Sequence, residues 1–203
     1  MPSILTLSGS PIRDSSTELL LYRIAEGIEN GSEEPTTNEF VRLNHYQFLP
    51  CQACGISPEP DFCIFHDEIY PLYDLLISVD IVLFGSPVYF DSVSAQAKAF
   101  IDRCNCLRPP DFEGLSGHHF KRIIMKKRLG GMVLVGGERG EFESARKVIA
   151  GFFKWVEIEN CGNIMYEHRF MKEIGPVKDD RLKMDEAFQL GLKIASRLPE
   201  IAG

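Results

Sequence analysis

The chain has no long apolar run. Nothing in its 203 residues approaches the roughly 18 consecutive apolar positions that a membrane-spanning helix needs. The opening Met1, Pro2 and Ser3 lack a positively charged region leading into an apolar stretch, so no targeting segment is expected and a cytoplasmic location is. Positive charge is also scarce: 22 Lys and Arg against 29 Asp and Glu leave a net charge of −7. An acidic surface repels polyphosphate backbones, which argues against nucleic acid as a main partner. There are no internal repeats and no low-complexity tracts. The Gly-x-x-x-x-Gly-Lys of an ATP-binding loop is missing, and no Gly-x-Gly-x-x-Gly follows the first apolar run. No nucleophile triad is recognisable either.

What is present reads as one domain, residues 1–203, with a full-sized core. Apolar residues at 44% and charged residues at 25% are ordinary for a globular chain. The run Lys121–Arg128 holds five of the basic residues. It reads as a solvated element leading into a strand, or, more sharply, as a patch that attracts an anionic cosubstrate.

Periodicity predicts strands at Ile4–Leu7, Glu39–Leu43, Asp80–Phe84 and Met132–Val135, and a last one within Val156–Tyr166. Between them fall amphipathic helices at Ser15–Glu29, Asp67–Ser78, Ser94–Arg103 and Phe142–Phe153, with a closing helix at Asp185–Arg197. Pro71 belongs in the first turn of its helix, where a missing N–H costs nothing. Fivefold β-α alternation with short, β-branched strands implies an α/β fold: a parallel sheet, doubly wound, with helices on both faces. Cys104–Gly117, with Pro109, Pro110, Gly114 and Gly117, reads as a long loop, and long loops are more often functional than decorative.

In open α/β sheets ligands sit beyond the carboxyl ends of the strands. Three such ends carry chemistry. Ser8-Gly-Ser-Pro11 and Ser15-Ser-Thr17 form a hydroxyl-rich turn into a helix N-terminus, a candidate phosphate cradle. Gly85–Phe90 offers free backbone N–H groups around Pro87 and Val88, with the flat surfaces of Tyr89 and Phe90. Gly136-Gly-Glu138, running to Gly140, allows close backbone approach. One end would hold a phosphate, one would pack a ring edge and one would close over it, a geometry suited to a mononucleotide.

Gly9-Ser-Pro11, Asp80-Ile-Val-Leu-Phe-Gly-Ser-Pro-Val-Tyr89 and Ser94-Ala-Gln-Ala-Lys-Ala-Phe-Ile-Asp-Arg103 together resemble the NADPH-dependent FMN reductase family, and within it the iron–sulfur flavoprotein branch. The resemblance covers roughly positions 1–150. It implies a flavodoxin-like fold of five strands in the order 2-1-3-4-5, with FMN in the crevice. By position, Ser8, Ser10, Ser15, Ser16 and Thr17 match the phosphate loop. Pro87, Val88, Tyr89 and Phe90 match the loop along the flavin ring, and Gly136, Gly137 and Glu138 match the third loop. That third loop is shorter than the family's, since Gly140 runs straight into Glu141-Phe-Glu143. The resemblance also implies a homodimer or homotetramer with FMN near a subunit interface.

The branch carries a compact four-cysteine motif after the second strand. Here the same place reads Cys51, Cys54, Ser57 and Cys63, with serine third. A four-iron cluster normally takes four thiolates. Three readings stand: a relic with ordinary or reversibly paired thiols; a labile or incomplete cluster on Cys51, Cys54 and Cys63; or zinc with water, Ser57 or His66 as fourth ligand. Cys104, Cys106 and Cys161 read as packing residues.

The expected function is an FMN-dependent oxidoreductase that takes hydride from NADPH or NADH and passes electrons to a small acceptor such as a quinone or flavin. The alternative is an electron-transfer flavoprotein that exchanges single electrons with a ferredoxin-like carrier. A third reading is a regulator or binding module with a structural flavin or none. His118 and His119, in the long loop, are candidate proton donors or solvated surface residues.

Overall fold

Strands that are apolar on both faces need covering on both sides, and the chain supplies that cover from two sets of helices. In the computed structural model, residues 1–54, 62–107, 126–138, 140–168 and 173–201 are described. Chain order is β1 (Ser3–Ser8), α1 (Ser16–Gly31), β2 (Thr37–Arg42), α2 (Pro71–Ser78), β3 (Ile81–Tyr89), β4 (Ser92–Val93), α3 (Ala95–Arg103), β5 (Arg128–Gly137), α4 (Phe142–Trp155), β6 (Ile158–His168) and α5 (Arg181–Ser196). The sheet runs β2-β1-β3-β5-β6, all neighbours parallel, with β4 antiparallel on β3. Leaving aside the two-residue β4, this is the expected 2-1-3-4-5 order.

Side-chain alternation divides the core into two layers. Leu5, Leu7, Val82, Phe84, Met132 and Leu134 face α2, α3 and α4, where Tyr73, Phe100, Phe152 and Phe153 pack on them. Ile4, Ile81, Leu83, Leu129 and Val133 face α1 and α5. These last two helices touch through backbone. A Cβ on Gly27 would lie 2.2 Å from the carbonyl oxygen of Phe188, and one on Gly191 would lie 2.2 Å from that of Ile24.

Four expectations need correction. The third strand does not stop at Phe84. Its pairing with β5 continues through Pro87, opposite Val135, so Gly85–Val88 is strand and not loop. Proline is tolerated there for a reason visible in the register. The Gly85 carbonyl accepts from Gly9 N–H at 2.8 Å on the β1 side, and Pro87, two residues on, faces that same side where β1 has already ended. The fifth strand likewise spans Arg128–Gly137, so Gly136 and Gly137 lie within it, paired with Glu167 and His168. Third, Arg128 is no solvated residue. It is fully buried, donates to the carbonyls of Leu76 and Val156, and burial pulls its guanidinium down to about 10. The helix expected from Asp67 begins at Pro71, its first helical residue, after a turn at Asp67–Tyr70. Ser57, His118, His119, residues 108–117 of the long loop and the basic residues Lys121 and Arg122 lie outside the described residues.

Candidate functional site

The three strand ends converge through hydrogen bonds. The carbonyl of Gly9, just past β1, accepts from Ser94 Oγ at 2.6 Å, and Ser94 N–H donates to Ser86 Oγ at 2.9 Å. Ser94 also caps α3. The β3–β4 hairpin is tied to the third loop: Asp91 Oδ1 accepts from Glu141 N–H at 2.8 Å. A Cβ on Gly140 would come within 3.8 Å of Val88. Ser8, Ser10, Pro87, Val88 and Gly140 therefore lie on neighbouring segments at the carboxyl edge of the sheet.

On the β1 side the chain turns into the start of α1. Ser15 is the N-cap, its Oγ accepting from Glu18 N–H at 3.4 Å. Glu18 reaches back and accepts from Asp14 N–H at 3.0 Å, a variant of the Ser-x-x-Glu capping box. Asp14 takes a left-handed φ of 56°, a conformation aspartate tolerates better than most residues. The serine hydroxyls first serve the chain itself. Ser8 Oγ accepts from Ser10 N–H at 3.3 Å, Ser10 Oγ closes a small turn onto Ile12, and Ser16 Oγ accepts from Val177 N–H at 3.3 Å. Ser8, Ser10, Ser16 and Thr17 are all buried. The groups with no intrahelical acceptor are the first-turn N–H groups of Ser16 and Thr17. The expectation of a hydroxyl-lined cradle thus becomes one of a hydroxyl-braced loop that aims backbone donors.

The ring side differs. Tyr89 is half-exposed, and Phe90 is wholly exposed. Phe90 and Asp91 have φ of 51° and 58°, so a two-residue turn with both central residues left-handed joins β3 to β4. Only Val88 and Tyr89 pair with β4, so the N–H groups of Phe90 and Asp91 lie outside the ladder. Near the end of β5, Gly137 has open space where a side chain would stand. At Gly136 the ring of Phe142 takes that space, 2.9 Å from where a Cβ would stand.

The cysteine segment is organised by a residue that the sequence pattern does not single out. Arg103, at the end of α3, is buried. Its guanidinium binds Asp67 (2.6 and 3.1 Å), the carbonyls of Leu49 (2.7 Å) and Phe65 (3.4 Å), and lies 3.6 Å from Cys63 Sγ. Its own carbonyl accepts from Tyr73 O–H at 3.3 Å and Cys106 S–H at 3.2 Å. Burial, reinforced by the nearby Cys63, pushes the Cys106 thiol up to about 12, and burial raises that of Cys104 well above its ordinary value. Cys51 is partly buried, Cys54 exposed and Cys63 buried. Among the described residues, no three His, Cys, Asp or Glu side chains come together as a metal site. His66 stacks on Tyr70 at 4.3 Å. Cys104 and Cys161 are buried, as expected of packing residues.

A surface hollow of about 570 Å³ beside Met1, Glu33, Asp80 and Leu198 lies at the opposite, amino edge of the sheet and contains none of these groups. No helix among the described residues is long and apolar enough to cross a membrane.

An iron-sulfur flavoprotein of Methanocaldococcus jannaschii is 30% identical over 198 residues, 95% of each chain. Among solved structures, RosB with a bound 8-demethyl-8-formylriboflavin-5'-phosphate superposes with a TM-score of 0.69 at 15% identity, over 98% of this chain and 79% of that one. A flavodoxin from the domain Archaea gives 0.56 at 12% identity, over 97% and 99%. These two likenesses establish the flavodoxin-like fold. The NADPH-dependent FMN reductase profile matches residues 2–163, so this chain belongs to that oxidoreductase family and, within it, groups with the iron-sulfur flavoproteins.

Proposed function

We propose that the chain holds FMN in the carboxyl-edge crevice, accepts hydride from reduced nicotinamide and delivers the electrons to a small acceptor such as a quinone or free flavin. The observation that supports this reading is that the β1–α1 loop, the β3–β4 hairpin and the loop after β5 are tied together at the carboxyl edge of the sheet.

The residues present fit FMN. The first-turn N–H groups of Ser16 and Thr17, at the positive end of α1, suit a phosphate. The side-chain-free space at Gly137 admits a planar group against backbone, and Tyr89 and Phe90 add apolar surface beside it. When bound, FMN supplies the hydride- and electron-accepting ring. The chain's task is binding and orientation. Ser15 and Glu18 fix the phosphate loop, and Asp91 locks the hairpin to the third loop. The N–H groups of Phe90 and Asp91 are donors available to stabilise negative charge at the ring edge. No protein nucleophile is needed.

The cysteine residues do not fit a four-thiolate cluster. The third motif position is Ser57, a poor iron ligand at neutral pH, and Cys63 sits against the guanidinium of Arg103. The two-electron route is therefore preferred, and Cys51, Cys54 and Cys63 are read as thiols. A second reading, a one-electron carrier working with a ferredoxin-like partner, is favoured by the name of the M. jannaschii relative. Steady-state oxidation of NADPH and NADH by flavin-loaded protein, with quinone or free FMN as acceptor, separates the two. Turnover supports the enzyme, and full flavin content with no turnover supports the carrier. A homodimer or homotetramer with the crevice near its interface remains part of the proposal, to be checked by sedimentation.

A further inference from the structure

The buried Glu18 carboxylate poses a problem for an anion site. It lies in the first turn of α1 with no solvent exposure, and it reaches back to the loop that a phosphate would use. Left alone, a full negative charge at that place would repel a phosphate. It is not alone. Arg42, the last residue of β2, grips it through Nε–Oε1 at 2.8 Å and Nη2–Oε2 at 3.1 Å. Arg42 is itself braced: Nη2 also donates to Tyr22 Oη at 3.0 Å, and its guanidinium lies 5.0 Å from the centre of the Phe40 ring, which stacks on Tyr22.

Two-pronged pairing fixes both the direction and the charge of a carboxylate. Here it leaves Glu18 Oε2 oriented to accept Asp14 N–H, which holds the left-handed turn at Asp14. The opposite side of that turn is clamped too. Gly175, with φ of 60°, packs so closely that a Cβ on it would lie 2.5 Å from the Asp14 carbonyl oxygen.

We propose that Arg42 is a positioning residue for the phosphate of FMN. It acts through Glu18, cancelling its charge and aiming it at the Asp14 amide, so that the α1 N-terminus stays both shaped and electrically open for a dianion. Arg42 need not touch the ligand. This inference rests on the crevice being the FMN site.

The test compares FMN with riboflavin, which lacks the phosphate, by fluorescence titration of wild type, Arg42→Gln, Glu18→Gln and the double variant. Arg42→Gln should weaken FMN about tenfold or more while changing riboflavin far less. Adding Glu18→Gln should restore much of the loss, because the uncompensated charge is removed. Equal weakening of FMN and riboflavin, or no rescue in the double variant, overturns the proposal. If Arg42→Gln does not fold by circular dichroism, Glu18→Gln alone decides. A raised FMN-to-riboflavin affinity ratio supports the role, and an unchanged or lowered ratio contradicts it. Wild-type protein that binds neither flavin would overturn the crevice reading itself, a result distinct from these.

Discussion

The Ser8–Glu18 loop and the cysteine segment are both irregular stretches that follow a strand of one half of the sheet, yet they are held in different ways. Ser8–Glu18 is fixed by many short-range bonds: Ser8 to Ser10, Ser10 to Ile12, Ser15 to Glu18, Glu18 to Asp14. Each is a neutral or singly charged bond spanning a few residues, and the loss of one leaves the others. Among the described residues, the segment around Leu49–Asp67 is gathered by a distant cation, Arg103, which reaches across 36 to 54 positions of sequence to Asp67, Phe65, Cys63 and Leu49. A ligand site built locally can present spare donors. A segment gathered on a buried guanidinium has several of its polar groups already committed. That difference is the physical reason we propose the first region, and not the second, as the ligand site.

The largest expected effect breaks the second region. Arg103→Met removes a buried cation and strands Asp67 and two carbonyls. Loss of one partner of a buried ion pair costs about 3–5 kcal/mol, to be read from urea unfolding. A cost below about 1 kcal/mol would show that the segment has other support. The next concerns pH. Burial holds the Cys106 thiol at about 12 against an ordinary value of 9.0. Its protonated form is thus favoured in the folded state. That stability is complete below pH about 9 and is lost as pH rises toward 12, where the unfolded chain ionises first. Thermal melts from pH 8 to 11 should fall, and Cys106→Ala should flatten the fall.

Smaller effects probe the first region. Ser15→Ala removes the cap of α1 and should cost about 1 kcal/mol, with FMN affinity falling more than riboflavin affinity. The smallest concerns Phe90. Its ring is fully exposed, so Phe90→Ala should change stability by no more than about 0.5 kcal/mol. Turnover with the small acceptor should nevertheless drop, since the ring edges the crevice. An unchanged turnover would remove Phe90 from the site.

Much of this was legible beforehand. The apolar runs at Ile4–Leu7 and Ile81–Phe84 and the helical spacing of Leu20, Leu21, Ile24 and Ile28 define the layers, because burial on both faces follows directly from composition. Ser15 as N-cap was readable from residue type. The strand continuation through Gly85–Tyr89 was hidden, since Gly and Pro punctuate loops in most contexts. Only the register, with β1 ending at Ser8, explains why Pro87 is allowed. Arg128 belonged to a basic run and so read as solvated, although it opens the inner strand β5. Arg103 and Arg42 were missed because their partners, Asp67 and Glu18, lie 36 and 24 residues away. For Glu18 a signal existed: the Ser15-x-x-Glu18 spacing of a capping box.

The most direct test of the central contrast is the flavin, iron and sulfide content of protein purified without oxygen. The account predicts about one FMN per chain and far less than the four irons of a [4Fe–4S] cluster. Protein with no flavin would contradict the crevice, and four irons with matching sulfide would contradict the assignment of Cys51, Cys54 and Cys63 as thiols.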